Sequence, residues 1–461
     1  MPHPELSLWQ SAVTEVRAKR LAGGNVASPR VLADPCVLAT NRHVYERHSA
    51  ARAGRGLELQ HRPWFAEVLE LARRVHLGGA ADRVEAALAA AGTFSNKDPD
   101  FVECVLKFVE WYVLLHRAPQ YRDWTKQGGG DVDFGGVRWR LPAGARIGVI
   151  GDWGTGLPDA RELLERLLAE CRPTALIHLG DVYYSGTPRE ATCNYADILT
   201  AAFEAVPPRI PVFNLPGNHD YYSGGHGFYQ QLDAMNVGDA RQEASYFRLR
   251  SEDDRWQLLG VDTGFNDRVP GIAFDTHYTA PSLHDSERDW LRHKLERFPG
   301  RTLLFSHHQL FSAHSALNGP RSGRIANFNT DLYRTVEPYL DRIAMWMWGH
   351  EHSLALYQDG LKDVSRCRLV GCSAFEIGTD DDPYRVRFAD VSYRQPFVRL
   401  SKVNGLYSHG FAVIDLGEAA VDYYEFPSWS GTAPESPRAV TQLCREELLP
   451  PWDLSKCRDR P

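Results

Sequence analysis

Apolar residues recur at helical spacing in the early part of the chain. Trp64, Val68, Leu69, Leu71, Ala72 and Val75 share one face, and Val102, Val105, Leu106, Val109, Tyr112 and Val113 share another. The Ala-rich run at 83–91 predicts a further helix, with breaks at Gly78-Gly79 and at 93–99. Residues 1–125 are therefore expected to form a mainly helical domain. Residues 126–145 read as linker and strand, because Gly128-Gly129-Gly130 precedes an apolar-alternating run at 137–141.

From residue 146 the period changes. Short apolar runs predict strands at 146–150, 175–179 and 211–215, separated by helices at 158–170 and 189–205. Further strands are expected at 246–250, 257–261, 302–305, 344–348, 368–370, 411–416 and 421–426. Helices are expected at 285–298 and 329–340. Alternation that gives way to a strand-rich half predicts an α/β domain over 146–428, with a mixed sheet or two packed sheets. The Pro- and Ser-rich residues 429–461 are expected to wrap the surface as a C-terminal tail.

Composition narrows the class only modestly. A chain of 461 residues exceeds the usual size of one core and predicts two domains. The net charge of −7 gives no general nucleic-acid footprint. Eight scattered cysteines without a C-x-x-C pair predict buried thiols rather than a zinc ribbon. No 18-residue apolar run and no signal-peptide core are present, so no membrane association and a cytoplasmic location are expected. A serine hydrolase is disfavoured because no G-x-S-x-G occurs, and Gly371-Cys372-Ser373-Ala374-Phe375 breaks that pattern at its last position. The chain also lacks a P-loop.

The chemistry is concentrated in five polar blocks, each at the end of an apolar run. They are Gly151-Asp152-Trp153-Gly154, Gly180-Asp181-Val182-Tyr183-Tyr184, Gly217-Asn218-His219-Asp220, Ser306-His307-His308 and Gly349-His350-Glu351-His352. Open α/β sheets place ligands at the C-terminal ends of strands, where these residues fall. The carboxylate of Asp181 can bridge two cations. Asn218 offers a neutral carbonyl oxygen, and His219 beside it is expected outside the metal shell, placed to bind phosphate and protonate a leaving oxygen. Asp220 orients His219 or caps the loop. Alternation on an extended backbone would put His350 and His352 on one side and Glu351 on the other.

The five blocks in this order resemble the calcineurin-like metallophosphoesterase superfamily, with a motif set similar to purple acid phosphatases. The resemblance covers roughly residues 146–425 and implies a two-sheet sandwich flanked by helices (α/β/β/α). It implies two metal ions, drawn from Fe, Mn or Zn. Asp152, Asp181, Tyr184 and His352 would hold the first, and Asp181, Asn218, His307 and His350 the second. The Asp181–Tyr184 spacing fits G-D-x-x-Y, whereas Tyr183 is expected to pack on the loop. His219 matches the substrate-binding and proton-donating position, and His308 and His314 are further phosphate contacts. The implied function is hydrolysis of phosphate mono- or diesters by attack of a metal-bridging hydroxide. The alternative is a non-catalytic metal- and phosphate-binding regulator that keeps the fold. The N-terminal region carries no chemical motif, and neither its role nor a protein partner follows from its residues.

Overall fold

The computed structural model describes residue 111 and residues 118–124, 135–267, 281–315, 317, 327–379, 382–403, 405–428 and 438–448. The helices expected at 64–75 and 83–91, nearly all of that at 101–116, and the Gly128–Gly130 linker lie outside the described residues.

Two sheets carry the fold. The first contains β2 (Arg146–Ile150), β3 (Ala175–His178), β4 (Val212–Asn214), β13 (His409–Asp415), β14 (Ala420–Phe426) and β15 (Thr441–Glu447), in the order β15-β14-β13-β2-β3-β4. β2, β3 and β4 run parallel, and the other three are antiparallel to their neighbours. The second contains β1 (Arg140–Leu141), β5 (Phe247–Ser251), β6 (Trp256–Val261), β7 (Arg301–Ser306), β8 (Ile343–Trp348), β9 (Leu354–Leu356) and β10 (Cys367–Val370), in the order β1-β5-β6-β7-β8-β10-β9. β6, β7, β8 and β10 are parallel. A small hairpin pairs β11 (Lys402–Val403) with β12 (Leu406–Tyr407).

Period-two alternation sorts the side chains into layers. Ile147 and Val149 of β2 join a core shared with Phe247, Leu258 and Leu303 of the second sheet. Ile150 turns the other way, into a core with α1 (Pro158–Arg166) and α2 (Asp197–Ala205). α3 (Asn218–Tyr221) and α4 (His226–Met235) follow β4. α5 (Asp285–Arg297) and α6 (Thr330–Val336) bury Trp290, Leu291, Leu332 and Val336 against the second sheet. The result is the helix–sheet–sheet–helix layering expected for a metallophosphoesterase. Among the described residues no helix is long and apolar enough to cross a membrane.

The tail departs from expectation. Its residues Thr441–Glu447 do not merely wrap the surface but pair with β14 as an edge strand. Composition hides this, since the strand is mostly polar. It is held by Glu446, whose carboxylate grips the buried Arg368 guanidinium through two bonds of 2.7 and 2.6 Å.

β3 also buries His178 against Trp153 and Tyr195, and among the described residues neither ring nitrogen has a hydrogen-bond partner. Burial pushes its pKa down to about 3 from an ordinary 6.5. Between those values the unfolded chain binds a proton that the folded chain refuses. Stability is therefore expected to fall with pH below 6.5, by about 1.4 kcal/mol per unit from this residue alone. Urea titrations at pH 7 and pH 4.5 on the native protein and His178→Leu check it, and the variant should lose that share of the acid sensitivity.

Candidate metal centre

Both sheets aim the C-terminal ends of their parallel strands at one edge. Asp152 follows β2, Asp181 follows β3, Asn218 opens α3 after β4, His307 follows β7, and His350 and His352 follow β8. Three of these residues sit in the left-handed region, with φ of 53° for Asp152, 71° for Asp181 and 68° for His350. Such backbone costs roughly 1–3 kcal/mol per residue and persists where surrounding structure imposes it. At His350 it means that a turn, not an extended strand, separates His350 and His352 from Glu351. Close approach also dictates glycine, because a Cβ on Gly217 would land on the Asp181 carboxylate.

The donor atoms converge. His307 Nε2 lies 3.4 Å from Asp181 Oδ2, 3.2 Å from Asn218 Oδ1 and 3.2 Å from His350 Nδ1. Asn218 Oδ1 is 3.1 Å from His350 Nδ1. On the other side, Asp152 Oδ1 is 3.3 Å from His352 Nε2. Asp152, Asp181 and His307 bring ligand atoms within 4.8 Å of one another, as do His307, His308 and His350. His307 Nδ1 donates to the Leu179 carbonyl at 3.0 Å, which turns Nε2 toward the cluster. Orientation of this kind by an outer carbonyl suits a metal-bound imidazole. A set of hard oxygens and imidazole nitrogens packed this closely fits divalent or trivalent cations.

Electrostatics follow the crowding. Burial pushes Asp181 up, but His307 and His219 outweigh it and hold the carboxyl well below its usual range. Burial pushes His307 down, but Asp181 outweighs it and carries the imidazole up to about 9. Burial, together with the neighbouring histidines, holds His350 well below 6.5.

The remaining candidates divide. His219 is half-buried beside Tyr183 and Tyr222, its Nδ1 donating to the Tyr184 carbonyl at 2.6 Å and its backbone N–H to Asp181 Oδ1 at 3.1 Å. Asp220 is buried, and its Oδ2 accepts from the backbone of Gly217 at 2.8 Å and of Asp181 at 3.0 Å. That grip clamps two motif loops together, so of the two roles left open by the sequence Asp220 takes the loop-holding one. His308 does not stand open to a phosphate: Nδ1 meets Thr263 at 2.9 Å and Nε2 meets Asp267 at 3.0 Å. His314 lies apart from the cluster, its Nδ1 3.4 Å from the Arg385 carbonyl. Ser373 is fully buried, donating to the Gly410 carbonyl and accepting from Gly151, so it is no nucleophile.

The two tyrosines are placed differently from the expectation. The hydroxyl of Tyr183, not that of Tyr184, donates to Asp152 Oδ1 at 2.7 Å and meets His352 Nε2 at 2.9 Å. Tyr184 instead offers its carbonyl to His219, and its N–H donates to Glu190. Spacing from Asp181 could not separate adjacent phenols, because the loop follows no regular period. Phe375, which stacks on His352 at 3.9 Å, carried no signal in the sequence.

Residues 145–354 match the model of the calcineurin-like phosphoesterase family. The resemblance read from the five blocks is borne out over this phosphoesterase segment. No curated protein matches the chain. Among solved structures, the purple acid phosphatase of yellow lupin (Lupinus luteus) seeds is 13% identical, covers 66% of this chain and 55% of its own, and has a TM-score of 0.40. A putative 5'-nucleotidase of Staphylococcus aureus is 12% identical, covers 66% of this chain and 54% of its own, with a TM-score of 0.34. The phosphopantetheinyl hydrolase of Mycobacterium tuberculosis is 14% identical and covers 56% of this chain and 98% of its own, at 0.30. The chain thus spans about half the length of the first two.

The two tyrosines of the phosphoesterase segment can be told apart. Tyr183→Phe is expected to weaken metal retention by about 10- to 100-fold, the usual effect of losing a group that contacts metal ligands. Tyr184→Phe should have little effect. Metal content after graded dialysis against a chelator checks both.

Proposed function

We propose that this protein is a dinuclear metal-dependent phosphoesterase acting on phosphate mono- or diesters. The convergence of Asp152, Asp181, Asn218, His307, His350 and His352 at one edge of two sheets carries the reading. Asp152 and His352, with the Tyr183 hydroxyl bonded to both, would hold one ion and Asn218, His307 and His350 the other, with Asp181 shared between them. Fe, Mn and Zn all suit this donor set. Bound cations would neutralise phosphoryl charge and acidify a water.

The chain's own groups supply the rest. Asp181 is anionic and buried, so it can face two cations at once. Asn218 adds an oxygen without charge. His219 holds its Nδ1 proton on the Tyr184 carbonyl, and when the ring is doubly protonated its Nε2 would serve a phosphoryl or leaving oxygen. A proton delivered there would stabilise the departing alkoxide. Asp220 keeps His219 near Asp181 by fixing the Gly217 and Asp181 backbones.

Hydrolysis of p-nitrophenyl phosphate and its bis ester by the full chain loaded with Mn, Zn or Fe tests the proposal. Turnover that depends on metal supports it, and stoichiometric metal without turnover of either ester counts against it. His219→Ala should keep its metal yet lose roughly 10²- to 10⁴-fold in rate, the range for general acid–base groups. Full activity of that variant on an ester with a poor leaving group would remove His219 from the mechanism.

A further inference from the structure

An open groove of about 510 Å³ is lined, among the described residues, by His314, Arg385, Val386 and Arg387. Its size is that of a small-molecule site, larger than a single phosphate needs. Its lining is cationic. Among the described residues neither Arg385 nor Arg387 makes an ion pair, whereas Arg366, Arg368, Arg394 and Arg438 all do. Two exposed guanidiniums without an ion-pair partner among the described residues leave this wall positively charged and open to an anion. Arginine's planar fork matches phosphoryl oxygens better than a point charge does.

The groove is fixed relative to the metal centre. The backbone N–H groups of Arg387 and Phe388 both donate to the Ala313 carbonyl, at 2.8 and 3.1 Å. The next residue, His314, donates its N–H to Ser312 Oγ at 2.9 Å. Ser312 in turn donates to Glu351, which lies between His350 and His352 in the chain. The arginine segment is therefore strapped, through residues 312–314, to the turn that presents two of the candidate ligands. Val386 is exposed and adds an apolar wall.

We propose that this groove is a subsite for a second phosphoryl group, which makes organic phosphates bearing two separated phosphates the preferred substrate class; the proposal rests on the phosphoesterase reading above. The histidine predicted as a phosphate contact then serves the remote phosphate rather than the one cleaved.

Calorimetric titration of the metal-free full chain with inorganic tripolyphosphate tests the groove without turnover. One site is expected, weakened on the order of 10- to 100-fold in the double variant Arg385→Ala/Arg387→Ala. Thermal melts that match the native protein exclude a folding defect. Absence of binding to the native protein, or equal binding to the variant, overturns the proposal. In the loaded enzyme the same variant should raise KM for a bisphosphorylated ester more than KM for p-nitrophenyl phosphate, and an equal rise for both overturns it too. If the native enzyme hydrolyses neither ester, the hydrolase reading fails while the titration still decides the groove.

Discussion

Asp181→Asn is expected to cut phosphate-ester hydrolysis on the order of 10³-fold and to strip the protein of stoichiometric metal. The substitution is nearly isosteric, and an amide oxygen can still accept from the His219 N–H that now sits 3.1 Å away. What it removes is the negative charge that faces His307 Nε2 at 3.4 Å and raises its pKa. Several kcal/mol of charge stabilisation are lost when a shared anion becomes neutral, which sets the size of the effect. Elemental analysis of the purified variant, beside its turnover number, measures both. Circular dichroism should be unchanged, since the other anchor of this loop, Asp220, remains. A variant that keeps its metal and its rate would show that Asp181 is not the shared ligand.

Glu446→Ala should be the most damaging change outside the site. Its carboxylate is buried and serves Arg368, Arg394 and the Tyr423 hydroxyl. Removing it leaves the fully buried Arg368 guanidinium short of its main counter-charge, although Asp359 still lies 2.7 Å away. Breaking a buried pair from one side costs about 3–5 kcal/mol. Urea denaturation should show that loss. Replacing both partners, as Arg368→Met with Glu446→Leu, should restore much of it, because no lone charge then remains buried. A double variant as unstable as the single would mean that the strand, not the charge, depends on Glu446.

The sequence made the framework legible because period-two runs are local signals. The strands at 146–150, 343–348 and 420–426 end within a few residues of where their apolar runs predict. The donor residues were legible for the same reason, since each ends such a run. What was lost lacks a local period. β15 is a polar edge strand whose one buried carboxylate has a partner 78 residues away. Tyr183 and Tyr184 are neighbours in a loop, where only three-dimensional placement decides which phenol reaches Asp152. His308 was expected as a phosphate contact, yet Thr263 and Asp267, both distant in sequence, meet its two ring nitrogens. The arginine-lined groove is held by backbone hydrogen bonds from Arg387 and Phe388 to Ala313 that leave no trace in composition.

The divided origin of the donor set has a consequence for how the protein matures. Asp152 and the N–H of His350 stand 198 residues apart in the chain and meet only once both sheets have stacked. Closing so long a loop is slow, and local contacts do not offset its entropy. During synthesis Asp152, Asp181 and Asn218 emerge well ahead of His307, His350 and His352. Metal uptake would therefore be a closing event of maturation rather than a nucleus for it. A cation once captured would then tie the first half of the domain to the second and slow their separation. Metal scarcity would register as a shortened lifetime of the finished protein, not as a failure to reach its fold.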